Sequence, residues 1–267
     1  MTENLTFDFS ALAARFDRFL PQIEPVGLAV IDHVQLEAGA TVLDVACGTG
    51  EPGLTLARRA PGVNVVGVDQ AEAMIGVARA KAAQAKLENA RFEVMAMDAL
   101  SLADASVDVV ISRFGLLMFG DVAASARELA RVLRRGGSFS VAVWDDPAEN
   151  TLMGSLVAIL RAHLPPDHRS PLEPLAAWAG EHRRTRLLEE LGLSVDTAMF
   201  RWSYRFESFD EPWEMVSGMG KLTGQADLSP EIQAEVRQKL MDSLAPYRTS
   251  EGRYVIPHAC RLLWGTR

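Results

Sequence analysis

A chain of 267 residues, 48% of them hydrophobic, can bury one sizeable core, as a single domain with an inserted subdomain or as two domains. Its 35 acidic and 27 basic side chains leave a net charge of −8, which argues against the basic footprint that nucleic-acid phosphates require. Cys47 and Cys260 are the only cysteines, so a disulfide framework is excluded, no zinc-ligand spacing occurs, and a reducing, cytoplasmic setting is expected.

The N-terminus shows no basic region followed by an apolar run, so no secretion signal is expected, and no run of about eighteen apolar residues is present to span a membrane. Two helices, 11–20 and 22–36, are predicted ahead of the first strand, 41–46, which carries an acid, Asp44, inside an apolar run. That strand breaks at Gly48-Thr49-Gly50 and opens a helix from Glu51 to Ala60. A second strand, 63–68, ends at Asp69, and an alanine-rich helix covers 71–87. A third, 91–96, ends at Met97-Asp98, and a fourth, 107–112, ends at Arg113-Phe114-Gly115. Helix 121–135 leads through Gly136-Gly137 into strand 138–144. Strands alternating with helices imply a parallel sheet covered on both faces, with ligands outside the carboxyl ends of the strands. Asp44, Asp69, Asp98 and Ser112 fall at or near those ends.

Gly48 to Gly53 fits the letters G-x-G-x-x-G of dinucleotide binders, but Asp44 and Glu51 bracket the loop with negative charge. A helix N-terminus normally draws an anion. Carboxylates already in that neighbourhood would repel a pyrophosphate and suit an ammonium group, so the expected ligand carries an amine and no phosphate. Asp69 lies 19 residues after Gly50 (69 − 50), where a carboxylate can accept both hydrogen bonds of a ribose diol, in NAD as well as in any other ribosyl ligand. Cys47 is read as the small residue a tight loop accepts, since no basic residue beside it would activate a thiolate.

Val42-Leu43-Asp44-Val45-Ala46-Cys47-Gly48-Thr49-Gly50 resembles motif I of the class I S-adenosylmethionine-dependent methyltransferases. Val-Val-Gly-Val-Asp69 is similar to the acidic motif that follows in that family, and Asp98-Ala99 to its adenine contact. Asp108-Val-Val-Ile-Ser-Arg-Phe-Gly is similar to its fourth-strand motif, and Arg131-Val-Leu-Arg-Arg-Gly-Gly to the turn before the fifth strand. The resemblance covers 41–144 and lies in the branch that includes quinone-biosynthesis and small-molecule natural-product methyltransferases. It implies an α/β fold, doubly wound around a mostly parallel seven-stranded sheet with helical lid insertions, and S-adenosyl-L-methionine as cofactor. The cofactor-binding residues it implies are Asp44, Ala46, Gly48, Thr49 and Gly50 after the first strand and Asp69 and Gln70 after the second. Met97, Asp98 and Ala99 after the third strand and Ser112, Arg113 and Phe114 after the fourth complete them. The family's Asn-Pro-Pro-aromatic signature for nucleic-acid and protein-amide substrates is replaced by Ser112-Arg113-Phe114-Gly115, which speaks against both.

Three regions are therefore expected: N-terminal helices in 1–40, a cofactor-binding core in 41–145, and in 146–267 substrate-recognition insertions with the last two strands of the same sheet. The first helix, with Phe9, Phe16 and Phe19, either folds over the cofactor, as in relatives, or packs on the sheet as an amphipathic helix. Beyond Trp144, a helix at 150–163, a proline-bearing loop at 164–174 and a helix at 181–191 precede an alternating run, 194–206. By resemblance that run and 254–264 are the sixth strand and an antiparallel seventh, with helices from about 210 to 245 forming a lid over the acceptor pocket. Arg58-Arg59, Arg134-Arg135 and 182–186 read as solvated helix faces.

Methyl transfer from a sulfonium is a direct displacement, so alignment and exclusion of water should do most of the catalysis. His33, His163, His168, His182 and His258 have no motif around them, and none is named as a base. Trp144, Trp178, Trp202, Tyr204, Phe206, Trp213, Met215 and Met219 serve as core or line an aromatic pocket. The expected reaction is methylation of a small, aromatic or apolar acceptor, with no metal. A non-methylating cyclisation or rearrangement on the same fold, an NAD-dependent oxidoreductase and a binding protein with a vestigial pocket stay open as alternatives. The acceptor atom and the oligomeric state are not legible.

Overall fold

The computed structural model describes residues 16–144, 149–164, 181–218, 225 and 228–267. Helix α1, Leu20–Asp32, starts with a proline in its first turn, where the missing N–H is not needed, and ends short of residue 36. There the His33 ring bonds back to the Ala29 carbonyl at 2.7 Å, where a further turn would continue. The part of the expected first helix before residue 16 lies outside the described residues. Then come β1 (Thr41–Val45), α2 (Gly53–Arg59), β2 (Asn64–Asp69), α3 (Glu72–Gln84), β3 (Ala90–Val94) and β4 (Val107–Arg113). Next are α4 (Val122–Val132), β5 (Leu133–Val143), α5 (Thr151–Leu160), α6 (Glu181–Glu190), β6 (Ser194–Phe206), α7 (Asp210–Gly218), α8 (Pro230–Leu244) and β7 (Tyr254–Thr266).

The strands form one seven-stranded sheet in the order β3-β2-β1-β4-β5-β7-β6. β1 to β5 pair in parallel, and β7 runs antiparallel to β5. Val42, Leu43, Asp44 and Val45 are all buried, as a central parallel strand covered on both faces must be. The strand order reverses between β1 and β4, the crevice where doubly wound sheets hold ligands.

Helix α4 buries Val122, Ala126, Leu129 and Ala130, one stripe at helical spacing, and Asp121 caps it by accepting from the Ala124 N–H at 2.9 Å. It stops at Val132, three residues before the end expected from the sequence, because the sheet takes over. Leu133 pairs with Val107, and the backbones of Gly136 and Gly137 bond to Arg267 at the end of β7. Gly136 has φ +75°, a conformation that a side chain disfavours.

The chain divides into two compact units, with boundaries inside β6 and β7. The first holds the described residues of 16–144, 181–200 and 260–267, hence β1 to β5 and the helices around them. The second holds those of 149–164, 201–218, 225 and 228–259. In it α5 packs on α7 and α8. Leu152, Leu156 and Leu160 on α5, and Val236, Leu240 and Leu244 on α8, are buried stripes at four-residue spacing. No helix among the described residues is long and apolar enough to cross a membrane.

Candidate functional site

The site is built where β1 to β4 end. After β1 the backbone turns through left-handed conformations at Ala46 (φ 55°), Gly48 (54°) and Gly50 (101°). Gly50 is required by space as well, since a Cβ there would lie 2.7 Å from Leu54 Cδ1. The first turn of α2 is occupied by this chain's own carboxylates. The Gly53 N–H donates to Asp44 Oδ2 at 2.8 Å and the Thr55 N–H to Glu51 Oε2 at 2.9 Å. Glu51 Oε1 in turn accepts from Arg58 at 2.7 Å. Asp44 has no exposed surface, and its Oδ1 has no hydrogen-bond partner. Burial pushes its pKa up to about 7; the Gly53 N–H and the Arg113 guanidinium oppose the rise, and Glu51 and Asp69 add to it.

Asp69 at the end of β2 is half-buried and orders two loops. Its Oδ2 accepts from the Gly48 N–H at 3.0 Å and its Oδ1 from the Ala71 N–H at 2.9 Å. Burial raises its pKa against the lowering effect of those backbone donors. The Gln70 N–H acts on the same carboxylate, which keeps acceptor capacity for a ligand donor. Gln70 is exposed beside it. After β3, Met97 is half-buried, Asp98 and Ala99 are exposed, and the Asp98 carboxylate takes no hydrogen bond among the described residues. Met97 Cε and Asp98 Oδ2 lie 3.7 and 3.8 Å from where a Cβ on Gly120 would stand.

Where β4 ends, the side chains of Ser112 and Arg113 turn to other segments of this chain. Ser112 has no exposed surface: its hydroxyl donates to the Val45 carbonyl at 2.7 Å and accepts from the Leu116 N–H at 3.0 Å, tying β4 to β1. Arg113 is buried and turns toward α1, donating to the Glu51 carbonyl at 2.9 Å and the Ile23 carbonyl at 3.4 Å. Both side chains hold the loops in place. Phe114, at φ 61°, lies flat on Trp144 with centroids 3.9 Å apart and planes 2° apart. Gly115 packs on Ala46, whose Cβ a side chain at 115 would strike. Gly115→Ala is expected to destabilise the fold by about 1–3 kcal/mol through overpacking, read as a lower urea midpoint; an unchanged midpoint would mean the two loops separate freely.

Thr49 is also buried, its hydroxyl donating to Asp17 at 2.6 Å. Asp17, Lys81 and the tethering role of Arg113 escape sequence reading, because no spacing rule joins positions so far apart in the chain. Arg184, expected on a solvated face, is buried and donates from Nε to the Leu117 carbonyl at 3.0 Å.

Within the second unit, Trp202, Tyr204 and Phe206 form an aromatic run along β6. His258 stacks on Tyr204 at 3.7 Å, its Nδ1 lies 3.1 Å from the Ile256 carbonyl, and burial pushes its pKa down to about 4, so the ring is neutral near pH 7. His163 faces Glu235 and Lys239, and Trp213 and Met215 are half-buried on α7. In the first unit His33 lies against Trp264. His182 belongs to α6, while Phe9, His168, Trp178 and Met219 lie outside the described residues. No cluster of possible metal ligands occurs among the described residues.

Residues 42–137 match a family model described as a methyltransferase domain. An uncharacterized protein of Mycobacterium tuberculosis is 32% identical over 174 residues, 65% of this chain and 61% of that protein. The chain thus spans about six-tenths of that relative's length. A demethylmenaquinone methyltransferase of Deinococcus radiodurans is 34% identical over 164 residues, 59% of this chain and 67% of the relative. The crystal structure of YcgJ from Bacillus subtilis superposes with a TM-score of 0.63 at 20% identity, covering 91% of this chain and 98% of YcgJ, which places the fold.

Proposed function

The chain belongs to the class I S-adenosylmethionine-dependent methyltransferases, and we propose that it binds S-adenosylmethionine at the ends of β1 to β4 and moves its methyl group to a small aromatic or apolar acceptor. The observation that carries the cofactor choice is the filled first turn of α2. With Gly53 N–H held by the buried Asp44 and Thr55 N–H by Glu51, two N–H groups of that first turn are already taken by this chain's own side chains, and the helix offers a pyrophosphate no bare anion site. An amine-bearing nucleoside without phosphate fits the same residues. Asp69 takes the ribose diol with its remaining lone pairs, beside Gln70. Asp98, exposed between Met97 and Ala99, takes the adenine amine. Ala46, Gly48 and Gly50 let the backbone approach the ligand closely, and Asp44 Oδ1 is a buried acceptor still without a donor. Thr49, Ser112 and Arg113 hold those loops in place, and Phe114 forms a wall with Trp144.

When bound, the sulfonium supplies an electrophilic methyl group that a nucleophile takes by direct displacement. The chain's part is to orient the reacting groups and keep water away. An aromatic acceptor is supported by the quinone-type relative and by the stacked Phe114–Trp144 pair where β4 and β5 end. Calorimetric titration with S-adenosylhomocysteine and, separately, with NADH tests the cofactor. Binding of the first at about micromolar strength and not of the second is expected; binding of NADH alone overturns the charge argument. Transfer of labelled methyl to quinol or phenol acceptors then separates methylation from a rearrangement on the same fold.

A further inference from the structure

We propose that Asp17, Lys81 and Thr49 form a latch that holds the segment at 16–19 across the glycine loop, so that Phe16 closes one side of the cofactor site and sets how fast cofactor and product leave. The inference rests on the cofactor reading above and adds residues to it. Asp17 accepts from the Thr49 hydroxyl at 2.6 Å and from the Lys81 ammonium at 2.7 Å, and the same ammonium donates to the Thr49 carbonyl at 3.2 Å. Three groups from the N-terminal segment, the glycine loop and α3 thus close a ring of bonds. Next to it, Phe16 packs on Ala71 and Met74 at the start of α3, and its Cε1 stands 3.8 Å from where a Cβ on Gly48 would lie. The ring therefore ties the N-terminal segment to the loop after β1 and to α3, while Phe16 reaches Ala71 in the loop after β2, which Asp69 joins to the glycine loop through the Gly48 and Ala71 N–H groups. Turns from Phe16 to Phe19 and from Phe19 to Gln22 lead directly into α1, whose first residues the Arg113 guanidinium holds at Ile23.

The ion pair is half-exposed, with side-chain accessibilities of 27% for Lys81 and 38% for Asp17. A pair so placed adds little to global stability. Its geometry instead decides where the strap lies, because the partner of both charges is the loop that carries Gly48 and Gly50.

The test measures S-adenosylhomocysteine affinity by calorimetry and its dissociation rate by stopped-flow displacement in Lys81→Met, Asp17→Asn, Phe16→Ala and Lys81→Arg, with thermal unfolding as the check on folding. Lys81→Met and Asp17→Asn are expected to speed dissociation about tenfold with little change in melting temperature, and Lys81→Arg to restore it to within about twofold. Phe16→Ala is expected to give a similar rise, and Phe16→Ala with Lys81→Met no further rise, because both act through one closed strap. Wild-type dissociation rates in both Lys81→Met and Asp17→Asn overturn the latch. Effects of Phe16→Ala and Lys81→Met that simply multiply also overturn it. A wild-type protein that takes up no S-adenosylhomocysteine overturns the cofactor reading itself, and the latch with it.

Discussion

Asp69→Ala is expected to weaken S-adenosylhomocysteine binding about a hundredfold, the largest loss of affinity from any single substitution considered. Hydrogen bonds to a charged group are worth about 1.5–3 kcal/mol each. Losing two, one to each ribose hydroxyl, therefore removes at least about 3 kcal/mol, and each 1.4 kcal/mol is about tenfold in affinity. The alanine also releases the Gly48 and Ala71 N–H groups, which the carboxylate now holds at 3.0 and 2.9 Å, so the glycine loop loses its anchor to β2. Asp69→Asn, which keeps one acceptor and loses the charge, should fall between, about tenfold weaker than wild type. Calorimetry with a parallel melting curve checks both. Wild-type affinity in a folded Asp69→Ala protein would contradict the assignment of the ribose to β2.

Asp44→Asn is expected to change how stability depends on pH. The carboxyl of Asp44 titrates near 3.8 when unfolded and is pushed up to about 7 by burial in the fold. Between those values the folded state holds more protons than the unfolded one, so the group lowers stability progressively as pH rises from about 4 to about 7, and its penalty levels off above that. The shift corresponds to about 4 kcal/mol at its limit. Asparagine escapes the cost of a buried charge but leaves an amide in the same dry position, so the gain at alkaline pH should be smaller than that limit. Urea unfolding at about pH 4 and about pH 8 measures it: the variant should gain on wild type as pH rises. A stability difference that is the same at both pH values would mean that Asp44 does not carry the buried charge. His258, whose pKa is also displaced, is present in both proteins and cancels in the comparison.

Where local pattern decides, sequence reading succeeds. The apolar runs at 41–46 and 107–112, punctuated by glycine and aspartate, mark β1 and β4 to within a residue or so of their observed ends, and the α/β alternation leads to a parallel sheet, whose seven strands were implied by the family resemblance. Ends drift where a partner strand recruits extra residues. Arg134 to Gly137 read as the tail of a helix and its exit turn, yet they extend β5 because Leu133 and the two glycines pair across to Val107 and Arg267. Motif letters also place Asp44, Asp69 and Asp98 at strand ends, but not the direction in which each carboxylate acts.

Side-chain direction is a tertiary matter here. Ser112, Arg113 and Thr49 look alike in a motif as ligand contacts, and all three are buried with partners from other segments: Val45 for the first, Ile23 and Glu51 for the second, Asp17 for the third. Arg184 sits in a run of basic residues that reads as solvated, and the packing of α6 buries it. The chain's local spacing of apolar, glycine and acidic residues was sufficient for the α/β fold class and the rim of strand-end acids, since each depends on neighbours a few positions apart, and the resemblance of its motifs pointed to the family. Which of those residues stay open to a ligand, how strongly Asp44 resists ionisation, and the meeting of Asp17, Thr49 and Lys81 were decided only by folding, because burial and hydrogen bonding between segments tens of residues apart leave no periodic mark on the chain.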